Sequence, residues 1–189
     1  MNYKEILKFY PDFPVAGVNF VDIIPFIQDK DAFKSLVKDL AALCDSPNIA
    51  APEARGFLFA APMLVLADHV KNVVPIRKKG KLPYAEGDLV GVDIVKEYGR
   101  DSLFFRLSDI AAGEPGEDGT IGLTLFDDVL ATGGTARGLA KKLEECSVSI
   151  KGKTYRVRVT DFVFLVEIDE LGGAAKLTDI APVKSLIHL

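Results

Sequence analysis

Residues 123–138 read LTLFDDVLATGGTARG, and this run constrains the chain more than any other. Leu123 to Phe126 lean apolar, Asp127 and Asp128 are adjacent acids, and Ala131-Thr132-Gly133-Gly134-Thr135 is a loop of small residues that leads into helical spacing. Neighbouring carboxylates repel each other and glycines weaken whatever element holds them, so the combination implies a ligand. A strand that passes through a tight loop into a helix is half of a β–α unit. In open α/β sheets the ligand of such a unit lies beyond the carboxyl ends of the strands. The apolar run predicts a strand over Ile121 to Phe126, with both acids just past its end.

The rest of the chain alternates in the same way. Helical spacing covers Asp31 to Cys44, with apolar residues at Phe33, Leu36, Val37, Leu40, Ala41 and Cys44. Asn48 to Ala51 is a short strand, and Gly56 to His69 is an apolar helix interrupted by Pro62. NVVPI is the next strand, followed by Leu89 to Glu97 and Ser102 to Leu107. AAGEPGEDGT is a loop by composition, Gly134 to Cys146 a helix, and Phe162 to Ile168 a buried strand. Alternating Tyr155, Val157 and Val159 suggest an extra edge hairpin around Lys151-Gly152. Continuous apolar strands between helices predict an α/β fold with a central, mostly parallel sheet flanked by helices.

Length and charge bound the function. At 189 residues, with neither a repeat nor a linker, the chain is expected to form one domain over 1–189. A net charge of -4 and a pI near 5.3 argue against a general nucleic-acid or membrane-surface binder. No apolar run approaches a membrane span, and MNYKEILKFYPDF is no signal peptide. Cys44 and Cys146 form no CxxC and read as reduced thiols, so a cytoplasmic location is expected. His69 and His188 are isolated in sequence, and neither suggests zinc.

In the glycine loop, small side chains let backbone N–H groups wrap an anion, and the following helix N-terminus adds a favourable dipole. Thr132 and Thr135 add hydroxyl donors. Neither a Walker A loop nor a G-x-G-x-x-G is present. The acids would oppose a phosphate, so their partners are hydroxyls further along the ligand, or a metal. A ribose 5-phosphate meets both demands: phosphate on residues 131–135, and 2′- and 3′-hydroxyls on Asp127 and Asp128. The plainer alternative is a surface DD turn beside a glycine helix cap. The basic cluster Arg77-Lys78-Lys79-Gly80-Lys81 stands out in an acidic chain. It reads either as a solvated loop or, beside a phosphate loop, as a pyrophosphate site. Arg55 lies between a strand and a helix start, again where an anion would bind.

DDVLATGGT resembles the phosphoribosyl-pyrophosphate signature of type I phosphoribosyltransferases, and most of all their adenine-specific members. YPDFPVAGVNFVDIIPF, EARGFLF, IRKKGKLP, EYGRD and LVEI follow the family's order, so the resemblance covers most of residues 10–170. It implies transfer of ribose 5-phosphate from phosphoribosyl pyrophosphate to adenine, giving AMP and pyrophosphate, on a type I phosphoribosyltransferase fold with a small N-terminal base-binding hood and a mobile lid. By the same resemblance, Arg55, Arg77 and Lys81 engage pyrophosphate, some of them reaching the neighbouring subunit of a homodimer. Phe20 stacks on the purine while backbone groups of Asn19 and Val21 read its edge, and Ile168 closes the opposite face. Val21 departs from the family, where a basic residue is common. Glu97 would handle the imidazole proton as the bond to N9 forms, and a lid over Pro83 to Lys96 would exclude water. Magnesium is the implied cofactor, carried by the substrate pyrophosphate rather than by a protein ligand set. The alternatives are the same chemistry on another purine, and a non-catalytic sensor of phosphoribosyl pyrophosphate.

Overall fold

The computed structural model describes residues 1–96 and 99–189. The chain opens with a two-stranded antiparallel unit, β1 (Lys8–Pro11) and β2 (Asn19–Asp22), separate from the main sheet. Helices α1 (Ile24–Gln28) and α2 (Lys30–Leu43) follow. Asp29 starts α2 by accepting the N–H groups of Asp31 and Ala32, each at 3.0 Å, which satisfies two amides that a helix start leaves open. Next come β3 (Asn48–Pro52), α3 (Arg55–Leu66), β4 (Asn72–Lys78), β5 (Leu89–Lys96), β6 (Gly99–Arg106) and α4 (Leu107–Ala111). The chain finishes with β7 (Thr120–Leu130), α5 (Gly134–Glu144), β8 (Ser147–Ile150), β9 (Lys153–Glu167) and β10 (Val183–His188).

Among the described residues the main sheet has eight strands in the order β10-β9-β7-β3-β4-β6-β5, with β8 paired to β9. The five strands from β10 to β4 run parallel, and β6 and β5 add antiparallel neighbours at one side. Successive side chains of a strand point to opposite faces, so each central strand feeds two cores. Ala50, Leu123, Leu125, Phe162 and Phe164 meet Leu139 and Leu143 of α5 on one side. Ile49, Ala51, Phe126, Val163 and Leu165 meet Leu36 and Leu40 of α2 and Phe59 of α3 on the other. This two-sided burial is why these strands read as unbroken apolar runs.

Three sequence expectations change. β7 does not stop at Phe126 but continues through both acids to Leu130, because β9 runs beside it and pairs Leu130 with Glu167. Asp127 and Asp128 are therefore strand residues. The strand expected from Phe162 begins at Lys153, so the suggested hairpin and the buried strand are one element. Its turn places Lys151 at φ 50 and Gly152 at φ 79, as a tight two-residue hairpin requires. Helix α3 runs through Pro62 instead of breaking there and ends at Leu66. Leu89–Lys96 is strand β5, in line with the strand read over Leu89 to Glu97; it also lies within the segment read as a lid, and its Val92 and Ile94 are buried in the core. Both cysteines are free thiols, and burial pushes Cys44 up to about 12.

Candidate active site

The C-terminal ends of β3, β4, β7 and β9 lie side by side, and the loops leaving them carry most of the expected residues. The loop after β7 lines a cavity of about 100 Å³ together with Asp127 and Phe164. Gly133 turns the chain into α5 at φ 77, a left-handed conformation open to glycine at little cost. The first amide that the chain itself satisfies past this turn is that of Arg137, which donates to the Gly133 carbonyl at 2.9 Å. Among the described residues no acceptor takes the N–H groups of residues 132–136. These amides and the start of α5 give the loop a partial positive charge facing the cavity.

A glycine that the sequence reading passed over, Gly173, supports this loop. A Cβ on Gly173 would meet the Ala131 carbonyl oxygen at 2.2 Å, and one on Gly133 would meet the Gly173 oxygen at 2.7 Å. The two backbones touch, and only glycine allows it. The GG dipeptide at 172–173 was the available signal, but nothing local says which loop it backs.

The acids are coupled to each other and to Arg55. The Asp128 N–H donates to Asp127 Oδ1 at 2.9 Å. Asp128 is buried, and its Oδ2 lies 2.7 Å from Arg55 Nε, an ion contact that forms no directed hydrogen bond. Among the described residues it is the one buried side-chain oxygen that accepts no hydrogen bond. Burial first, and then the charge of Asp128, push the Asp127 carboxyl well above the usual carboxylate range, with Arg55 offsetting part of the effect. The guanidinium carbon of Arg55 also sits 5.4 Å from the centre of the Phe20 ring. One cation thus joins the acidic pair to the aromatic residue expected to carry the base.

Around that aromatic, the Phe13 ring meets Phe20 edge to face at 5.2 Å between centres. Asn19 is exposed, and the Val21 side chain is buried in the core, which leaves that side chain unavailable to a ligand. Ile168, directly after β9, donates its N–H to the Leu130 carbonyl at 3.0 Å and is partly buried. Arg77, at the end of β4, is held by Glu53: its Nε donates to Glu53 Oε2 at 2.6 Å and its Nη1 to the Lys81 carbonyl at 2.9 Å. Burial would raise the Glu53 carboxyl, but hydrogen bonds from Arg77 and the Lys78 amide outweigh it and hold the group below its ordinary value. Glu53 was missed in the sequence, where it is one acid among 27. The Lys81 side chain is exposed. Glu97 lies outside the described residues.

The histidines divide. His69 Nε2 donates to the Ala41 carbonyl at 2.9 Å, a structural contact. His188 is not isolated as expected: its Nδ1 is 2.9 Å from Asp169 Oδ1 and 3.9 Å from Glu167 Oε2. β10 returns parallel to β9 and brings them together across 19 residues.

A parallel sheet thus delivers two acids and an open row of amides to one cleft beyond the carboxyl ends of its strands, where open α/β sheets bind their ligands. Known proteins carry the assignment further. No protein-family model matches the chain. It is 37% identical over 192 residues to the adenine phosphoribosyltransferase of Maridesulfovibrio salexigens, with 100% of each chain covered. It is 40% identical to that of Caldicellulosiruptor saccharolyticus, covering 85% of this chain and 86% of the other. Its fold matches the adenine phosphoribosyltransferase of Thermoanaerobacter pseudethanolicus at a TM-score of 0.80 and 35% identity, covering 98% and 97% of the two chains. The Saccharomyces cerevisiae adenine phosphoribosyltransferase, in a complex with an imino-altritol bisphosphate and adenine, matches at 0.71 and 29%, covering 95% and 93%. The chain belongs to the adenine phosphoribosyltransferase family.

Proposed function

We propose that this chain transfers the 5-phosphoribosyl group from phosphoribosyl pyrophosphate to adenine, releasing pyrophosphate and AMP. The observation that carries the reading is the pairing, in one cleft, of unclaimed amides at residues 132–136 with half-buried Asp127 and its buried neighbour Asp128. The amides suit the 5-phosphate and the acids the ribose hydroxyls. As the bond from C1 to the pyrophosphate oxygen lengthens, positive charge develops on the ribose ring, and the two carboxylates stabilise it. N9 of adenine then bonds to C1, and its proton leaves. Arg55, Arg77 and Lys81 draw charge from the departing pyrophosphate, with Glu53 fixing the direction of Arg77. We assign the ring proton to Glu97. Catalysis is then positioning and electrostatics, with little covalent work for the protein.

The cleft fits a magnesium ion carried by the pyrophosphate through its carboxylate oxygens, of which Asp128 Oδ2 accepts no hydrogen bond and would exchange its ion contact with Arg55 for the metal. When bound, magnesium neutralises pyrophosphate charge. A lid that excludes water would have to move without uncovering Val92 and Ile94. We read residues 1–189 as one domain, since both cores share one sheet. We also propose a homodimer, since α3 leaves Leu58, Leu64 and Val65 exposed on an apolar helix. A cytoplasmic location agrees with the free thiols, and no helix among the described residues is long and apolar enough to cross a membrane.

The deciding measurement is kcat/KM for adenine, hypoxanthine and guanine with phosphoribosyl pyrophosphate. Adenine offers a donor at its amino group and an acceptor at N1, and hypoxanthine reverses both. A site that pairs these groups through the backbone near Asn19 and Val21 should prefer adenine by roughly 10⁴-fold. Hypoxanthine or guanine within about tenfold of adenine would retire the base assignment while leaving phosphoribosyl transfer intact.

A further inference from the structure

We propose that Glu167, Asp169 and His188 form a binding site for a borderline divalent cation of the zinc type, separate from the magnesium chemistry of the cleft. One ligand atom from each lies within 4.8 Å of those of the other two. Four ligands about 2.0–2.2 Å from a tetrahedral zinc ion stand roughly 3.4 Å apart. The observed separations from His188 Nδ1, 2.9 Å to Asp169 and 3.9 Å to Glu167, bracket that value. A cation at the centre therefore needs only small side-chain shifts.

The three groups also stand on a firm frame. Glu167 is the last residue of β9 and pairs in register with His188 of β10. The Leu189 N–H donates to the Glu167 carbonyl at 2.9 Å, and the Asp169 N–H to the Leu189 carbonyl at 2.9 Å. Backbone bonds thus fix the chain beside every ligand. Glu167 is buried, and Ser185 Oγ donates to its Oε2 at 2.6 Å, the kind of outer contact that orients a ligating carboxylate. His188 and Asp169 are exposed, so the fourth position opens to solvent and an ion has a route in. The donor set, one imidazole with two carboxylates, suits zinc, cobalt or nickel better than magnesium, which asks for six oxygens. Ile168 lies between two of the ligands, so the ion would tie the end of β10 to the segment beside the cleft.

Calorimetric titration of chelator-treated protein with zinc chloride, in excess magnesium and without substrates, tests the site. One zinc per chain is expected, with a raised Tm in the wild type. His188→Ala and Asp169→Asn should each weaken binding by about tenfold or more, and Ser185→Ala by a smaller factor. Both ligand variants change exposed side chains, and their melting curves without zinc report folding. Cobalt supplies a spectroscopic readout, since visible d–d bands of a low-coordinate site should form in the wild type and not in His188→Ala. No saturable zinc binding by the wild type would overturn the proposal. So would unchanged affinity in folded His188→Ala, which would put the ion elsewhere, for instance on Asp127 and Asp128.

Discussion

At Asp127 two requirements pull against each other. In the proposed reaction, substrate hydroxyls and a developing positive charge call for an ionised carboxylate, whereas burial and the neighbouring charge of Asp128 raise its proton affinity. A carboxyl that titrates higher in the folded protein than in the unfolded chain binds more protons in the native state between the two values. Stability then falls as pH rises from about 3.9 towards the raised folded value. Asp127→Asn removes that loss and keeps an oxygen for the Asp128 amide. Its Tm at neutral pH should exceed that of the wild type, and its melting temperature should decline less between acid and neutral pH. Its kcat should drop about 10²-fold or more. Asp128→Asn should lose comparable activity. A wild-type kcat in both variants would remove the acids from the reaction. The acids and Arg55 stood out in the sequence as candidates because a charge beside an apolar strand end is unusual locally. Glu53 was not, because its meaning comes only from Arg77, 24 residues away.

The glycine loop is an element whose shape depends on a second element. Gly173 presses its backbone against Ala131 and Gly133, and Arg137 at the start of α5 pairs with Asp179 and bonds to the Lys176 carbonyl. Gly173→Ala should push the Ala131 carbonyl aside and weaken binding of phosphoribosyl pyrophosphate by tenfold or more in a calorimetric titration. Gly172 sits at φ 60 with open space around a built Cβ, so Gly172→Ala should cost about 1 kcal/mol or more of stability with affinity kept. Equal affinities in the two variants would mean that the 172–173 corner does not shape the loop. Gly134 offers a complementary test. A Cβ there meets nothing nearer than Thr132 Oγ1 at 4.0 Å, so Gly134→Val should fold normally and obstruct the anion. Unchanged affinity in folded Gly134→Val would place the phosphate elsewhere.

For the molecule as a whole, the sheet is covered on both faces, but α3 is more apolar than one buried face requires. Gly56, Phe59, Ala60 and Met63 face the core, while Val65 is 81% exposed and Leu64 44%. If this surface joins two copies, Leu58→Asp with Val65→Asp should shift sedimentation from dimer to monomer. It should also lower turnover if cations of one subunit serve the other's cleft. A dimer that persists unchanged in the double variant would place the interface on another surface.

Local pattern alone determined the α/β class, the strand–acid–glycine–helix unit and its tight glycine loop, because each rests on residues within one turn or strand of each other. Strand period, helix spacing and turn chemistry act over that range. Tertiary structure alone decided how far β7 runs, since its last four residues are strand only because β9 lies alongside. It also decided that Glu53 holds Arg77, that Gly173 backs the loop, and that His188 meets Glu167 and Asp169. Each of these joins residues distant in sequence through the pairing of parallel strands. That pairing order is set by how the whole chain buries its two cores, and no short stretch of sequence carries it.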